Sequence, residues 1–267
     1  MTDRVVVNID NHVATVTMNR ADKHNAVDVA MFEALIETGE ALAKDRSLRA
    51  VVLHGAGESF CAGIDVSVFA GKGIGASGAE NLQPRADTPA NFYQSAAYVW
   101  RELPVPVIAA LHGVVFGAGA QIALAADIRY ATADTKLSIM EIKWGLIPDM
   151  AISTSLPHLM PVDKAAELAW TGRVLSGDEA SKSGLVTDIK EDPLAAAQEL
   201  AHTIAGKSPD AVRAIKKLFY AAWKTNAASL LRLEADLQMK IMMSPNQLEA
   251  AKANGEKRAP DFGNAVI

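Results

Sequence analysis

Two carboxylates and two glycine-bearing turns are the parts of this 267-residue sequence that could do chemistry. Glu141 stands between Met140 and Ile142 in SIMEIKWGL, a costly place for a charge unless it is paired or used. Asp149 follows Pro148 in the next short segment. A proton-exchanging pair is one reading; a buried ion pair for Glu141 and a helix N-cap for Asp149 are the structural ones. The run VIAALHGVVFGAGAQIALAADIRYA, starting at Val107, breaks at Gly113, turns through Gly117, Ala118 and Gly119, and enters an apolar helix. Such a turn leaves unpaired backbone N–H groups and can hold an anion, although small residues also serve close packing. FCAGID, Phe60 to Asp65, is a second such turn, after a short apolar strand, Val51 to His54. Two turns of this kind beside two acids point to an enzyme acting on a carbonyl compound whose enolate must be stabilised.

The elements that position these groups read as alternating strands and helices. Arg4 to Asp10 and His12 to Met18 are rich in valine and threonine around a turn at Asn11, which predicts a hairpin. The polar loop NRADKHNA, Asn19 to Ala26, leads to Asp28, a cap for an amphipathic helix reaching Lys44 with Met31, Leu35, Ile36 and Leu42 inward. Gly71 to Asn91 reads as loop, Asn91 to Leu103 as helix, Val107 to Leu111 as strand and Gly119 to Ala126 as helix. Short strands follow near Arg129 to Thr132 and Lys136 to Ile139, with helices from about Asp149 and Val162. Ser176 caps a short helix ending at Gly184, Leu185 to Ile189 is a strand, and from Pro193 only helical periodicity remains. The expected organisation is a strand-and-helix core over residues 1–192 and a helical region over 193–267.

Composition narrows the function classes. Hydrophobic residues make up 50% and charged residues 21%, and the net charge of −5 is dispersed, so no nucleic-acid surface is expected. Cys61 is the only cysteine and the six histidines lack ligand spacing, so neither a disulfide framework nor a metal centre is expected. The N-terminus has no apolar signal segment, which makes the cytoplasm the simplest location. Val105 to Ala126 is apolar enough to be tested as a membrane span, but its clustered glycines place it as buried strand, turn and helix. GKGIG at Gly71 to Gly75 follows no strand and is no dinucleotide fingerprint; phosphate-loop and nucleophile-elbow patterns are absent too.

In this order and separation, FCAGID, HGVVFGAGAQIALAADIRYA and MEIKWGLIPDM resemble the enoyl-CoA hydratase/isomerase family, the crotonase superfamily. The resemblance runs from Val5 to about Met160 residue by residue and continues through TGRVLSGDEASKSGLV. It implies an α/β fold, a crotonase-like spiral of repeated ββα units with a helical C-terminal region, assembled as homotrimers or homohexamers. It also implies an acyl-CoA substrate, with coenzyme A as part of that substrate and no separate cofactor. Carried over, the oxyanion donors are the backbone N–H groups of Ile64 and Ala118, and Lys23, His24, Ala26, Ala62, Gly63 and Asp65 lie along coenzyme A. The loop from Gly71 to Asn91 would form part of the acyl pocket wall.

Family hydratases use two glutamates; here Gln121 stands at the first position and Glu141 at the second. An amide does not exchange a proton near neutral pH, though it can orient a water or a carbonyl. Asp149 stands where the family's dienoyl-CoA isomerases carry an aspartate. The resemblance therefore implies double-bond isomerisation of enoyl- or dienoyl-CoA through Glu141, Asp149 and Gln121. A hydratase and a non-catalytic acyl-CoA binding protein are the alternatives.

Overall fold

The computed structural model describes residues 3–66, 68 and 81–267. β1 (Val5–Asp10) and β2 (Val13–Met18) form the expected hairpin, Asp10 opposite Val13. Asn11 and His12, at φ +45° and +68°, make a two-residue turn whose backbone twist suits a hairpin. α1 (Val29–Lys44) follows, with the Asp28 carboxylate accepting the Met31 N–H at 2.9 Å as its cap. β3 (Ala50–Gly55) runs parallel to β2, and β4 (Val107–Leu111) parallel to β3. Between them lies α2 (Phe92–Glu102), started by a reciprocal capping box of Asn91 and Gln94. Of the loop expected over Gly71 to Asn91, residues 71–80 lie outside the described residues, and with them the GKGIG run.

β4 is followed by a strand that the sequence reading missed, β5 (Val114–Phe116), and then α3 (Ala118–Ala125). Three residues between Gly113 and Gly117 are too few to show a strand's alternation. β6 (Ile128–Ala131) returns to the first sheet and β7 (Lys136–Ser138) to a second one, followed by α4 (Val162–Thr171). The chain thus places one strand in each sheet before each of these helices, the expected strand-strand-helix repeat. β8 (Leu175–Ser176), α5 (Gly177–Lys182) and β9 (Asp188–Ile189) close the core, α5 with a Ser176–Glu179 capping box. The sheet orders are β1-β2-β3-β4-β6-β9 and β5-β7-β8, and Cys61 bridges to Val115 beside the second sheet.

Both faces of the parallel strands are covered, which is why they read as unbroken apolar runs. Val51, Leu53, Val107, Ala109 and Leu111 point into the cluster formed with α1, α2 and α3. Ala50, Val52, Ile108 and Ala110 point the other way, onto Ala197, Ala201 and Ala205 of α6 (Pro193–Ala205). α7 (Pro209–Ala221), α8 (Ala227–Ile241) and α9 (Pro245–Gly255) complete the chain. Val105 to Ala126 is resolved into β4, β5 and α3, and no helix among the described residues is long and apolar enough to cross a membrane.

One expected helix is replaced. No helix starts at Asp149; Ala151, at φ +62°, leads into two 3-10 turns, Ile152–Thr154 and Leu156–His158. The hydroxyls of Thr154 and Ser155 donate back to Ala151 and Ile152 carbonyls, and Pro157 and Pro161 interrupt any longer run. Asp149 is consequently not a cap. The strand expected over Leu185 to Ile189 shortens to β9.

Candidate active site

The two glycine turns meet because each follows a parallel strand at the same end of the sheet. In the first, Val27 donates to Gly63 O and accepts from the Asp65 N–H, at 2.8 and 3.0 Å. In such a parallel bridge the intervening residue, Ile64, turns its own N–H away from the ladder. In the second, Ala118 is the first residue of α3, where an N–H has no intrahelical acceptor. Neither N–H donates to an acceptor among the described residues.

Each donor is preceded by a glycine in the left-handed half of backbone space, Gly63 at φ +99° and Gly117 at φ +50°. A methyl on Gly63 would lie 3.0 Å from Phe116 O and 3.9 Å from Ala118 N, so the turns pack against each other through the missing side chain. A methyl on Gly117 would meet Glu141 Oε1 at 3.3 Å. Both turns and Glu141 line one cavity of about 230 Å³, together with Ala62, Lys143 and Trp144.

Glu141 opens the 3-10 turn Glu141–Trp144 and is partly buried. Its Oε1 accepts from Gln121 Nε2 at 2.7 Å, while its Oε2 is buried with no partner. Desolvation raises its pKa above the ordinary carboxylate value, the charge of Asp149 pushes the same way, and donation from Gln121 and nearby backbone opposes them. The result is a carboxylate with one fixed oxygen and one available oxygen, suited to taking up a proton.

Gln121 lies behind Glu141, 2% exposed and not among the residues lining the cavity. Its Nε2 holds Glu141 and its Oε1 accepts the Met150 N–H at 2.7 Å. One amide thereby ties Glu141 to the segment that carries Asp149. Part of the Asp149 surface is open, but the protein packed around its carboxyl raises its pKa by desolvation. Asp149 does not line the same cavity, although its charge reaches Glu141.

The residues expected along coenzyme A fall on two segments joined by backbone bonds. Ala62 N–H donates to His24 O at 2.9 Å, and the Val27 contacts to Gly63 and Asp65 continue the pairing. Lys23 and His24 are exposed, His24 Nδ1 lying 3.1 Å from Ser59 Oγ, and Ala26 is half-buried. The Asp65 carboxylate is paired with Arg20 at 2.7 Å.

The sequence reading passed over Asn25, which holds these segments together. It is fully buried at φ +56°, donates to Ala56 and Ser59 carbonyls, and accepts the Arg20 N–H through Oδ1. An asparagine inside a polar loop, the non-glycine residue that best tolerates the left-handed region, was the available signal. Lys143, Trp144 and Leu146 were also missed as cavity residues; they share the turn that Glu141 opens. Cys61 is no nucleophile: burial pushes its thiol up to about 12, and Sγ donates to Asn25 O. Among the described residues no group of three or more His, Cys, Asp or Glu side chains could hold a metal ion.

Residues 8–265 match the enoyl-CoA hydratase/isomerase family. The mitochondrial Delta(3,5)-Delta(2,4)-dienoyl-CoA isomerase of Homo sapiens is 32% identical over 267 residues, covering 95% of this chain and 79% of that protein. Enoyl-CoA hydratase EchA19 of Mycobacterium tuberculosis is 31% identical, covering 95% of this chain and 94% of that one. The crystal structure of an enoyl-CoA hydratase from Bacillus anthracis superposes with a TM-score of 0.88 at 29% identity, over 97% of this chain and 98% of that one. The fold is thus that of the crotonase-type enzymes. The chain belongs to the enoyl-CoA hydratase/isomerase family and is an enzyme of that family.

Proposed function

We propose that this enzyme moves double bonds in enoyl- or dienoyl-CoA. The observation that carries this reading is the engagement of Gln121: a group that cannot exchange protons fills the place opposite Glu141, and both ends of its amide are committed to the protein. That leaves Glu141 and Asp149 as the acids of the site.

The thioester oxygen of the substrate accepts hydrogen bonds from the Ile64 and Ala118 N–H groups. One carboxylate takes a proton from the carbon beside the thioester, and the electrons pass into an enolate, extended along the existing double bond. The N-terminus of α3 adds a favourable dipole at that oxygen, and a preorganised donor of this kind contributes about 3–4 kcal/mol in the transition state. The other acid, in its protonated form, delivers its proton further along the chain, the thioester carbonyl reforms, and proton exchange with solvent returns both acids to their starting states. No atom is gained or lost overall. Gln121 acts as a positioning residue, holding Glu141 Oε1 so that Oε2 is the free oxygen. Lys23, His24, Ala26, Ala62, Gly63 and Asp65 lie along coenzyme A, which enters as part of the substrate with no further cofactor. The relative from Homo sapiens named as a dienoyl-CoA isomerase supports this reading.

Hydration is the second reading, favoured by relatives of similar identity that are named hydratases. 2-Enoyl-, 3-enoyl- and 3,5-dienoyl-CoA, followed by mass and ultraviolet absorbance, separate the two. Isomerisation leaves the mass unchanged while the absorbance moves; a gain of one water from the 2-enoyl substrate at the fastest rate of the three overturns the isomerase assignment.

We further propose that residues 193–267 supply the contacts of a homotrimer or a pair of stacked trimers. Phe219, Trp223, Leu231 and Met239 are each 62–65% exposed along α7, α8 and their connection, an apolar surface that a second copy of the chain would cover.

A further inference from the structure

A second cavity, of about 720 Å³, lies between the C-terminal end of α2, α7, α8 and the last residues of the chain. Its volume is that of a small-molecule site. Its charge is unlike the rest of the protein. Arg101, Arg213, Lys216, Lys217, Lys224 and Lys240 line it, with Glu102 the one acidic side chain and the main-chain end at Ile267 beside them, in a chain whose net charge is −5.

Several of these cations are already engaged. Lys216 is paired with Asp127 at 2.7 Å, Arg213 donates to the Asp45 and Leu48 carbonyls, and Lys224 stands 3.9 Å from Glu102. Arg101 is different. It is 6% exposed, its Nε is buried without a partner, and no acceptor among the described residues takes a hydrogen bond from its guanidinium. Its Cζ stands 4.3 Å from the centre of the Tyr220 ring, and the residue also borders the adjoining cavity that Asp127 and His158 line. A buried guanidinium without a counter-charge is costly, and its fork of donors matches phosphate oxygens. Lys217 and Lys240 are exposed on α7 and α8 at the same cavity, with no ion-pair partner among the described residues. Leu103, Leu237 and Tyr220 give it apolar wall as well.

We infer that this cavity binds a phosphorylated organic anion of nucleotide size, with Arg101 as the buried anchor and Lys217 and Lys240 at the mouth. The site is separate from the acyl-CoA site of the same chain. Arg101 precedes the start of β4, whereas the oxyanion turns leave from the far ends of β3 and β4. A strand of the length of β4 separates them by about 17 Å.

The test is calorimetric titration of the full-length protein with ATP and with inorganic pyrophosphate, alone and with acyl-CoA at saturation. One ATP per chain should bind whether or not acyl-CoA is present. Pyrophosphate should bind more weakly, since it lacks the part that meets Leu103 and Tyr220; equal affinity would assign the site to inorganic phosphates and overturn the organic ligand. The double variant Lys217→Glu/Lys240→Glu, both at exposed positions, should weaken ATP at least about tenfold while leaving turnover within a fewfold of the parent, with light scattering run beside it because α7 and α8 are also the proposed contact helices. Arg101→Met should weaken it further, and circular dichroism checks that this variant is folded. Raising salt should weaken binding, as for any partly exposed ionic site. Three results overturn the inference: no saturable ATP binding at millimolar concentration, displacement of ATP by acyl-CoA, or full affinity in the double-lysine variant. The first would show that the cations are solvated or answered by a neighbouring subunit, and the second that the nucleotide occupies the coenzyme A site.

Discussion

Helices α3 and α8 show how differently two regions of this chain are used. α3 has eight residues and buries every one, whereas α8 has fifteen and buries only Leu237. The first helix opens onto the cavity at Ala118, and its apolar body is covered by residues of the same chain. The second presents Leu231 and Met239 outward at 65% and 63% exposure. One region is covered within a single chain and the other leaves large apolar side chains exposed. Changes in the first should therefore alter the reaction and spare assembly, and changes in the second should do the reverse.

The largest effect is expected at the acids. Glu141→Gln keeps size and the bond to Gln121 but removes the proton carrier, and should lower kcat about a thousandfold, within the range for general acid-base groups. Asp149→Asn should cost about a hundredfold. Calorimetry with a product acyl-CoA should show affinity within a fewfold of the parent for both. Rates within a fewfold of the parent, with the fold intact, would remove the two-carboxylate mechanism. A loss confined to Glu141→Gln would leave a one-base isomerase.

Next comes the cradle. Gly117→Ala places a side chain at φ +50° and a methyl 3.3 Å from Glu141 Oε1, so both the Ala118 donor and the carboxylate are displaced. kcat/KM should fall by about 10²–10³, the scale for loss of one oxyanion donor, with the assembly mass unchanged by light scattering. A variant that loses its oligomer but keeps its rate would reverse the comparison between the two regions.

These expectations rest on features that were unequally visible in the sequence. FCAGID and FGAGA show both turns, because a glycine followed by an apolar helix or strand has few alternatives. The short apolar run from Val51 to His54 predicts a strand, and the structure adds which residues face which layer, Val51 and Leu53 one way and Ala50 and Val52 the other, a three-dimensional fact. Glu141 stands out as a charge among apolar residues. That Gln121 is turned onto it, and onto Met150 beside Asp149, depends on a contact between α3 and a later loop that no local pattern encodes. The helix expected at Asp149 failed because hydroxyls and prolines in ISTSLPHLMP compete with helical hydrogen bonds.

In the other region, Leu231→Glu/Met239→Glu should shift the light-scattering mass from a trimer or hexamer toward the monomer at micromolar concentration. The isolated rate should change by only a fewfold if the site is complete within one chain. An unchanged mass would show that α8 faces solvent and that the oligomer, if any, uses another surface.

A smaller effect is expected at Gln121→Glu, which places a second carboxylate opposite Glu141. Hydration of a 2-enoyl-CoA should rise severalfold from its basal level. The gain is limited because the new charge joins that of Asp149 in raising the Glu141 pKa. The acid limb of kcat/KM should accordingly move to higher pH, since the base must be ionised to act. Basal hydration already faster than isomerisation would make the amide at position 121 irrelevant to the choice of reaction.

The smallest effect concerns stability. Glu141 has a pKa above its unfolded value because burial disfavours its charge. Between the unfolded and folded values the native chain holds more protons than the unfolded one, so stability falls as pH rises through that window. Above it the ionised carboxylate carries the full cost, with Oε2 buried and unpaired. Glu141→Gln removes the charge while its own amide oxygen can still accept from Gln121. The variant should melt higher than the parent at pH 7–8, by about 2 °C if the relief is of order 1 kcal/mol. The difference should shrink as pH drops toward 4.5, the ordinary glutamate value, where the parent's carboxylate is neutralised as well. Thermal melts of both proteins at equal concentration across this range check the sign. A difference that does not vary with pH would mean that packing, and not the buried charge, separates them, and Glu141 would lose its place as the strained acid of the site.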